Sequence, residues 1–391
     1  MDFGKVKGSI RFKMLGGVLA LEILMTLGYV GVFYHSARAD LAAGAQKAVE
    51  RSQGVYDLIL QGDTKMLGVA MDSFATNAAA RQIYADHQDR QKLLASVQDL
   101  FRSNRARYGI THFYFIDKEG ACYLRVHDPG NYGDTVARET FRQARAAGKA
   151  VSGIELGKTA FALRVVSPYI HNGDLIGYIE FGEEIDHFDQ LVKRQTGVDV
   201  AVLVDKAFLV ESEYRATRKA QGKPDNWAAM KGYTLVSSTL ENQGLVADDA
   251  SEDKLRAVKT SMYLGTVANG PKTLSKGAFP LKDASGKQVG VVLALNDITD
   301  QLQSERSALL LLIGITAIVF VISFAAVALY LRVEVIGPLV RLADQANEIS
   351  MGKVEMKLET HRNDEIGLLI HAFERMRVSL KKSMSMLTKR E

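Results

Sequence analysis

Two nearly uncharged apolar runs, Met14–Tyr34 and Ala308–Leu331, divide this chain of 391 residues. At about 1.5 Å of rise per helical residue, each is long enough to cross a hydrocarbon core of about 30 Å. Lys5, Lys7, Arg11 and Lys13 precede the first run, and the second exits at Arg332. Positive flanks are retained on the cytoplasmic side, so both ends are expected inside and the segment between the runs outside. Ala37-Arg38-Ala39 has the small-residue pattern of a signal-peptidase site. The apolar run before it exceeds the ~7–15 residues of a signal peptide, so an uncleaved anchor is expected. Glu22 sits inside the first span, where a charge costs about 2.5–3.5 kcal/mol on insertion scales; its carboxyl is expected to face the helix bundle.

Apolar residues make up 47% of the chain, which excludes a mostly disordered one. The net charge of +4 is spread along the sequence, so no basic stripe marks a nucleic-acid partner. Cys122 is the single cysteine, which excludes an intrachain disulfide and haem attachment through Cys-x-x-Cys-His.

Between the apolar runs the texture changes twice. From Ala37 to about Arg107 there is no proline, and Val55, Leu58, Ile59, Met66, Val69 and Ala70 recur at helical spacing; this predicts one long helix leaving the membrane. Short strand-like runs follow at Thr111–Ile116, Ala121–His127, Phe161–Ile170 and Leu175–Phe181, separated by turn signals such as Asn172-Gly173. A second block of the same kind runs from Val198 to Val289–Leu295, interrupted by a polar stretch with Pro224 and Trp227 that reads as loop and short helix. The blocks look like copies: Pro168, Gly173, Gly177, Glu184 and Ile185 in the first answer to Pro280, Gly286, Gly290, Asp297 and Ile298 in the second.

A long helix followed by two such sheet units, held between two spans, resembles the double-Cache sensors of bacterial chemoreceptors and sensor kinases. The residues that carry the likeness are Tyr108–Asp117, Leu124–His127, Ser152–Gly157 and Leu163–Val166. It covers roughly 37–305 and is stronger in the first unit than in the second. After the second span, Pro338, Leu339, Leu342, Ala346 and Ile349 form one helical stripe closed by Gly352. Val354, Met356 and Leu358 alternate as in an extended connector, and Asn363-Asp364-Glu365-Ile366-Gly367 opens a second helix striped with Ile366, Leu369, Phe373, Met376 and Leu380. This segment resembles a HAMP domain, whose pattern places signalling residues at Pro338, Gly352, Asp364, Glu365 and Gly367. Two such helices cannot bury their stripes alone, so a homodimer with a four-helix coil is expected.

The resemblance implies an α+β membrane receptor in a bacterial inner membrane, with two transmembrane helices. Two tandem PAS-like antiparallel-sheet units lie outside and a HAMP helical coil lies in the cytoplasm. The expected divisions are 1–13 cytoplasmic, 14–34 first span, 35–307 sensor, 308–331 second span, 332–385 HAMP and 386–391 a stub. Within the sensor, 37–107 is the long helix, 108–190 the membrane-distal unit and 191–305 the membrane-proximal one. About eleven residues follow Leu380, too few for a catalytic output. Either the chain is cut from a longer kinase, cyclase or chemoreceptor, or it drives a separate cytoplasmic kinase, cyclase or chemotaxis output protein.

No catalytic constellation is visible: the sequence has no Gly-x-x-x-x-Gly-Lys-Ser/Thr, Gly-x-Ser-x-Gly or His-Glu-x-x-His. No enzyme activity and no cofactor are expected, and His371 reads as a solvated helix position. What remains is a ligand pocket. Two-residue periodicity places Tyr123, Arg125 and His127 on one face of their strand, Arg164 beside Ala162 and Val166, and Tyr178 with Glu180. Arginines within strands gain most by pairing with a carboxylate. Arg125 and Arg164 are therefore expected to grip a small anionic ligand walled by Tyr114, Tyr123, His127, Tyr178 and Glu180. The alternatives are exposure to solvent and internal pairing with Glu155 or Glu180. His112, His127, Glu183, Glu184 and His187 match no ligand spacing, so no metal is expected.

Overall fold

A computed structural model describes residues 10–86, 89–156, 161–246 and 252–388. Lys5, Lys7 and Gly157 lie outside the described residues. The chain divides into two compact units, Arg38–Leu302 and the remainder, which contains the apolar helices and the C-terminal helices.

The predicted single helix after the first span is three. Helix α1 covers Ile10–Ala75, α2 Ala78–Ala85 and α3 Arg90–Tyr108. The breaks occur where polar side chains cap new helices: Asn77 Oδ1 accepts from the Ala80 amide at 3.0 Å, and Asp89 Oδ1 from the Gln91 amide at 2.9 Å. Apolar spacing continues across the first break, from Phe74 through Ala78 and Ala80 to Ile83, which hides it; the polar run Asp86–Lys92 is the signal the sequence offers for the second.

The distal sheet contains β1 His112–Ile116, β2 Cys122–Arg125, β3 Val151–Leu156, β4 Phe161–His171 and β5 Asp174–Glu184, with α4 Glu139–Ala147 before β3 and α5 Asp186–Thr196 after β5. The proximal sheet contains β6 Asp199–Asp205, β7 Tyr233–Ser238, β8 Met262–Asn269, β9 Lys272–Lys282 and β10 Gln288–Asp297, with α6 Glu211–Ala220 and α7 Glu252–Ala257 between strands. Both sheets are antiparallel, in the orders β2-β1-β5-β4-β3 and β7-β6-β10-β9-β8. The order is the same once the second unit is renumbered, so the sequence repeat is a structural repeat.

The correspondence reaches single residues. Pro168 lies opposite Tyr178 and Pro280 opposite Val291. In both units the strand carrying the glycine is bulged one residue earlier, at Ile176 and at Val289. Gly177 has φ +155°, and a Cβ there would lie 2.5 Å from the Ile116 carbonyl oxygen; a Cβ on Gly290 would overlap that of Leu203. Gly177 and Gly290 are therefore positions where the neighbouring strand approaches too closely for a side chain.

One apolar core joins the two sheets to α1: Leu67, Met71 and Phe74 pack with Phe113 and Phe181, and Tyr56 with Phe188 and Phe279. Gly277 on β9 leaves room for the Val49 side chain of α1. The units touch directly at Gly153, where the Ala284 amide donates to the Ile154 carbonyl at 2.8 Å.

Among the described residues, two helices are long and apolar enough to cross a membrane, α1 and the one that begins with α8, Thr299–Tyr330. Within the spans, Ser323 Oγ donates to Glu22 Oε1 at 2.5 Å, so the Glu22 side chain of the first helix faces the second. Beyond α8 come a π-helical turn at Leu331–Ile336, α9 Gly337–Ser350, a non-helical stretch and α10 Glu365–Thr388.

Candidate functional site: a charged sheet face and a helical relay

The face of the distal sheet turned away from α1 carries a cluster of charge. Tyr114 on β1 lies opposite Glu180 on β5, and Val166 on β4 lies on Glu180's other side. Arg164, two residues before Val166, reaches the same carboxylate, with Nη1 2.5 Å from Glu180 Oε1. Gly182 provides the room for it, since a Cβ there would sit 3.1 Å from that Nη1. Arg138 approaches from above at the cap of α4, donating through Nη1 to both Glu180 oxygens at 2.8 Å and through Nη2 to Tyr114 Oη at 3.1 Å. Glu180 is fully buried and Arg164 4% exposed, so this is a desolvated charge network of the kind that costs energy unless every member is paired. Arg164 Nε has no hydrogen-bond partner among the described residues.

Arg125 completes the ring of cations. It donates to Asp134 Oδ2 and to the Asn131 carbonyl, each at 2.7 Å. The guanidinium carbons of Arg125, Arg138 and Arg164 lie 5.3, 4.6 and 5.7 Å from the centre of the Tyr114 ring, within range of cation–π attraction. His127 packs edge-on to Tyr114 at 4.9 Å and to His112 at 4.8 Å. Burial, reinforced by the nearby arginines, lowers His112 to about 3; burial, opposed by a backbone hydrogen bond at Phe113, lowers His127 to about 4. Tyr178 stacks edge-on with Phe141 of α4, and Glu155 Oε1 accepts from the Thr140 amide at 2.6 Å.

The structure brings together Tyr114, Arg125, His127, Arg164, Tyr178 and Glu180, but not Tyr123. The ladder between β1 and β2 is bulged at Tyr123, with Phe115 opposite Leu124 and Ile116 opposite Cys122. Strict alternation therefore fails: Tyr123 joins Leu124 on the helix side, its ring 5.1 Å from Tyr84, while Arg125 remains on the Tyr114 side. Arg138, Asp134 and Gly182 were not anticipated. The first two sit in a connection without periodicity, and the only signal for Gly182 is a small residue within a strand of large ones. Of the acidic partners proposed for Arg164, Glu180 is the one it meets.

In the helical relay, Pro338 has no amide hydrogen for the carbonyl of Glu334, four residues earlier. The π-helical turn accommodates the proline, with the Gly337 amide bonding to the Arg332 carbonyl. Arg362 Nη2 donates to the Glu334 carbonyl at 2.9 Å, and Arg362 also holds Asp364 Oδ2 at 2.8–3.0 Å. Asp364 Oδ1 in turn accepts from the Gly367 amide at 2.9 Å at the start of α10. A Cβ on Gly367 would strike the Arg362 carbonyl. Gly352, φ +94°, ends α9 as expected. Glu365 occupies the first turn of α10 and is exposed, as is His371. Ile349, Val354 and Leu358 are buried against Ile370 and Phe373, but Leu369, Met376 and Leu380 are more than 40% exposed.

Residues 35–302 match the family model described as the double sensory domain of two-component sensor kinases. The chain belongs to that family. Residues 332–382 match the HAMP domain. This double-Cache chain is 31% identical over 136 residues to transducer protein Htr6 of Halobacterium salinarum, a stretch covering 34% of the chain and 16% of that protein. It thus spans well under a fifth of that relative's length. Among solved structures, a domain of a sensory box/GGDEF family protein from Vibrio parahaemolyticus is 13% identical, covering 67% of this chain and 97% of that one at a TM-score of 0.39. The ligand-binding domain of Campylobacter jejuni chemoreceptor Tlp3, solved with L-valine, is 8% identical, covering 67% and 95% at 0.41. A double-Cache sensor followed by HAMP, with two candidate spans, is the architecture of a transmembrane sensory receptor.

Proposed function

We propose that this double-Cache chain senses a small anionic molecule, such as an organic acid or amino acid, on the charged face of its membrane-distal unit, and relays its arrival to a cytoplasmic output through the HAMP helices. The observation that supports the ligand site is a contrast between the two repeats. The positions that hold Tyr114 and Glu180 in the distal sheet hold Ala201 and Leu293 in the proximal one, and that face is filled by an apolar cluster including Met230, Leu255 and Val291. The position of Arg164 still carries a buried cation there, Lys276, but without a tyrosine–carboxylate pair opposite it, so the Tyr114–Glu180 part of the distal cluster is not a requirement of the architecture. Three arginines meet two direct carboxylate partners, Glu180 and Asp134; a ligand carboxylate is the chemistry that balances the third, through the charge-assisted hydrogen bonds guanidinium groups favour.

Both termini lie in the cytoplasm of a bacterial inner membrane in this reading, with Arg38–Leu302 outside. Ligand binding shifts the population between two arrangements of the sensor, and only a difference in affinity between them transmits anything. The exposed stripe of Leu369, Met376 and Leu380 supports a homodimeric relay. The output is a kinase, a cyclase or a chemotaxis protein. Calorimetry on the full chain in lipid nanodiscs, against a panel of organic acids and amino acids, tests the ligand. One class is expected to bind, with affinity lost in Arg125→Ala and Arg138→Ala. Binding unchanged in both and in Arg164→Ala would mean that the cluster is an internal ion-pair network alone.

A further inference from the structure

Away from the arginine cluster, three side chains from separate elements converge at the corner where the distal sheet leads into α5. Asp63 comes from α1, Glu183 from the end of β5 and His187 from the first turn of α5. His187 Nε2 lies 3.1 Å from Asp63 Oδ2 and 3.2 Å from Glu183 Oε1, and the three donor atoms all fall within 4.8 Å of one another. With metal–ligand bonds of 2.0–2.2 Å, ligand atoms of a tetrahedral zinc site stand about 3.3–3.6 Å apart; the two histidine edges here are within a few tenths of an ångström of that spacing.

Two further features are compatible with a bound ion. His187 Nδ1 lies 3.0 Å from the Glu184 carbonyl, a partner that can only accept, so Nδ1 carries a hydrogen. That arrangement orients metal-bound histidines and leaves Nε2 as the ligating lone pair. Glu183 is 5% exposed, yet its Oε2 has no hydrogen-bond partner among the described residues. A buried carboxylate oxygen without a donor is costly, and a cation held by both Glu183 oxygens removes that cost.

We propose that Asp63, Glu183 and His187 form a binding site for a divalent transition-metal ion, with zinc the best match to a one-histidine, two-carboxylate set, and with water completing the coordination. The ion fastens α1, the helix that continues from the first span, to the corner joining the two sensory units. Metal occupancy then sets how firmly the distal unit holds that helix. Asp63 and His187 are half-buried, so the site is open to solvent and the ion exchanges. The proposal is independent of the anionic-ligand reading, because none of these residues touches the arginine cluster.

The test uses the full chain in nanodiscs, stripped with a chelator and titrated with Zn²⁺ alone by calorimetry. One ion per chain is expected, with Asp63→Asn and His187→Gln each weakening binding at least tenfold. Co²⁺ in place of zinc is expected to give visible absorption bands of four- or five-coordinate intensity that disappear in His187→Gln. Asp63→Asn changes only a half-buried helix position, so it reports on the site even if Glu183→Gln fails to fold. Absence of a stoichiometric site in the wild-type chain, or zinc affinity and cobalt bands unchanged in both Asp63→Asn and His187→Gln, would overturn the proposal.

Discussion

Replacing Glu180 by Gln leaves Arg164, buried beside it, without its only counter-charge within 4 Å among the described residues. Breaking a buried pair from one side costs about 3–5 kcal/mol, so Glu180→Gln is expected to lower the melting temperature of the detergent-solubilised chain by many degrees; an unchanged melt would mean that the pair is not desolvated. His112 and His127 give a pH dependence whose sign is fixed. Burial holds both below the ordinary value of 6.5, at about 3 and about 4, so they stay neutral in the fold while the unfolded chain takes up protons. Their contribution is complete above pH 6.5 and is lost as the pH falls toward 4. The double variant His112→Gln/His127→Gln is therefore expected to lose less stability than wild type between pH 6.5 and 4, measured as the difference between the two melting curves. Equal slopes would contradict the buried, neutral assignment.

Among the elements, the glycines that follow the bulges of β5 and β10 carry the clearest expectation. A methyl at Gly177 or Gly290 meets a backbone carbonyl of the neighbouring strand, and the overpacking costs about 1–3 kcal/mol. Gly177→Ala and Gly290→Ala are each expected to lower thermal stability, whereas Gly286→Ser, where a Cβ meets nothing within 4 Å but φ is +80°, tests backbone strain without crowding. In the relay, Arg362→Ala removes the donor to the Glu334 carbonyl and loosens Asp364. It is expected to change the signalling bias while leaving ligand affinity nearly intact; unaltered output would show that the Pro338–Arg362–Asp364 connection is not part of the switch. The same elements show what the sequence made legible. Strands β1, β4, β5, β6 and β10 declare themselves because apolar runs end in turn residues, and the HAMP helices because their stripes are regular. The edge strands β3 and β8 are largely half-exposed, and central β9 is broken up by lysines, Gly277 and Pro280, so neither kind carries a clear period. The bulge at Tyr123 was invisible for a related reason: period-two reasoning assumes an unbroken ladder. Arg138 and Asp63 escaped because a site assembled from a loop or a distant helix leaves no local spacing to read.

For the whole molecule, the proposed topology sets the sensor on one side of a bilayer and the relay on the other. Cysteine accessibility tests this directly. Cys122 is buried, and burial pushes its thiol up to about 11, so the native residue stays silent. Tyr132→Cys on an exposed loop of the sensor and His371→Cys on the exposed face of α10 are introduced singly, and intact spheroplasts are treated with a membrane-impermeant maleimide. The account predicts that position 132 labels at once and that position 371 labels only after lysis. Labelling of 371 in intact cells, or protection of 132 until lysis, would contradict it.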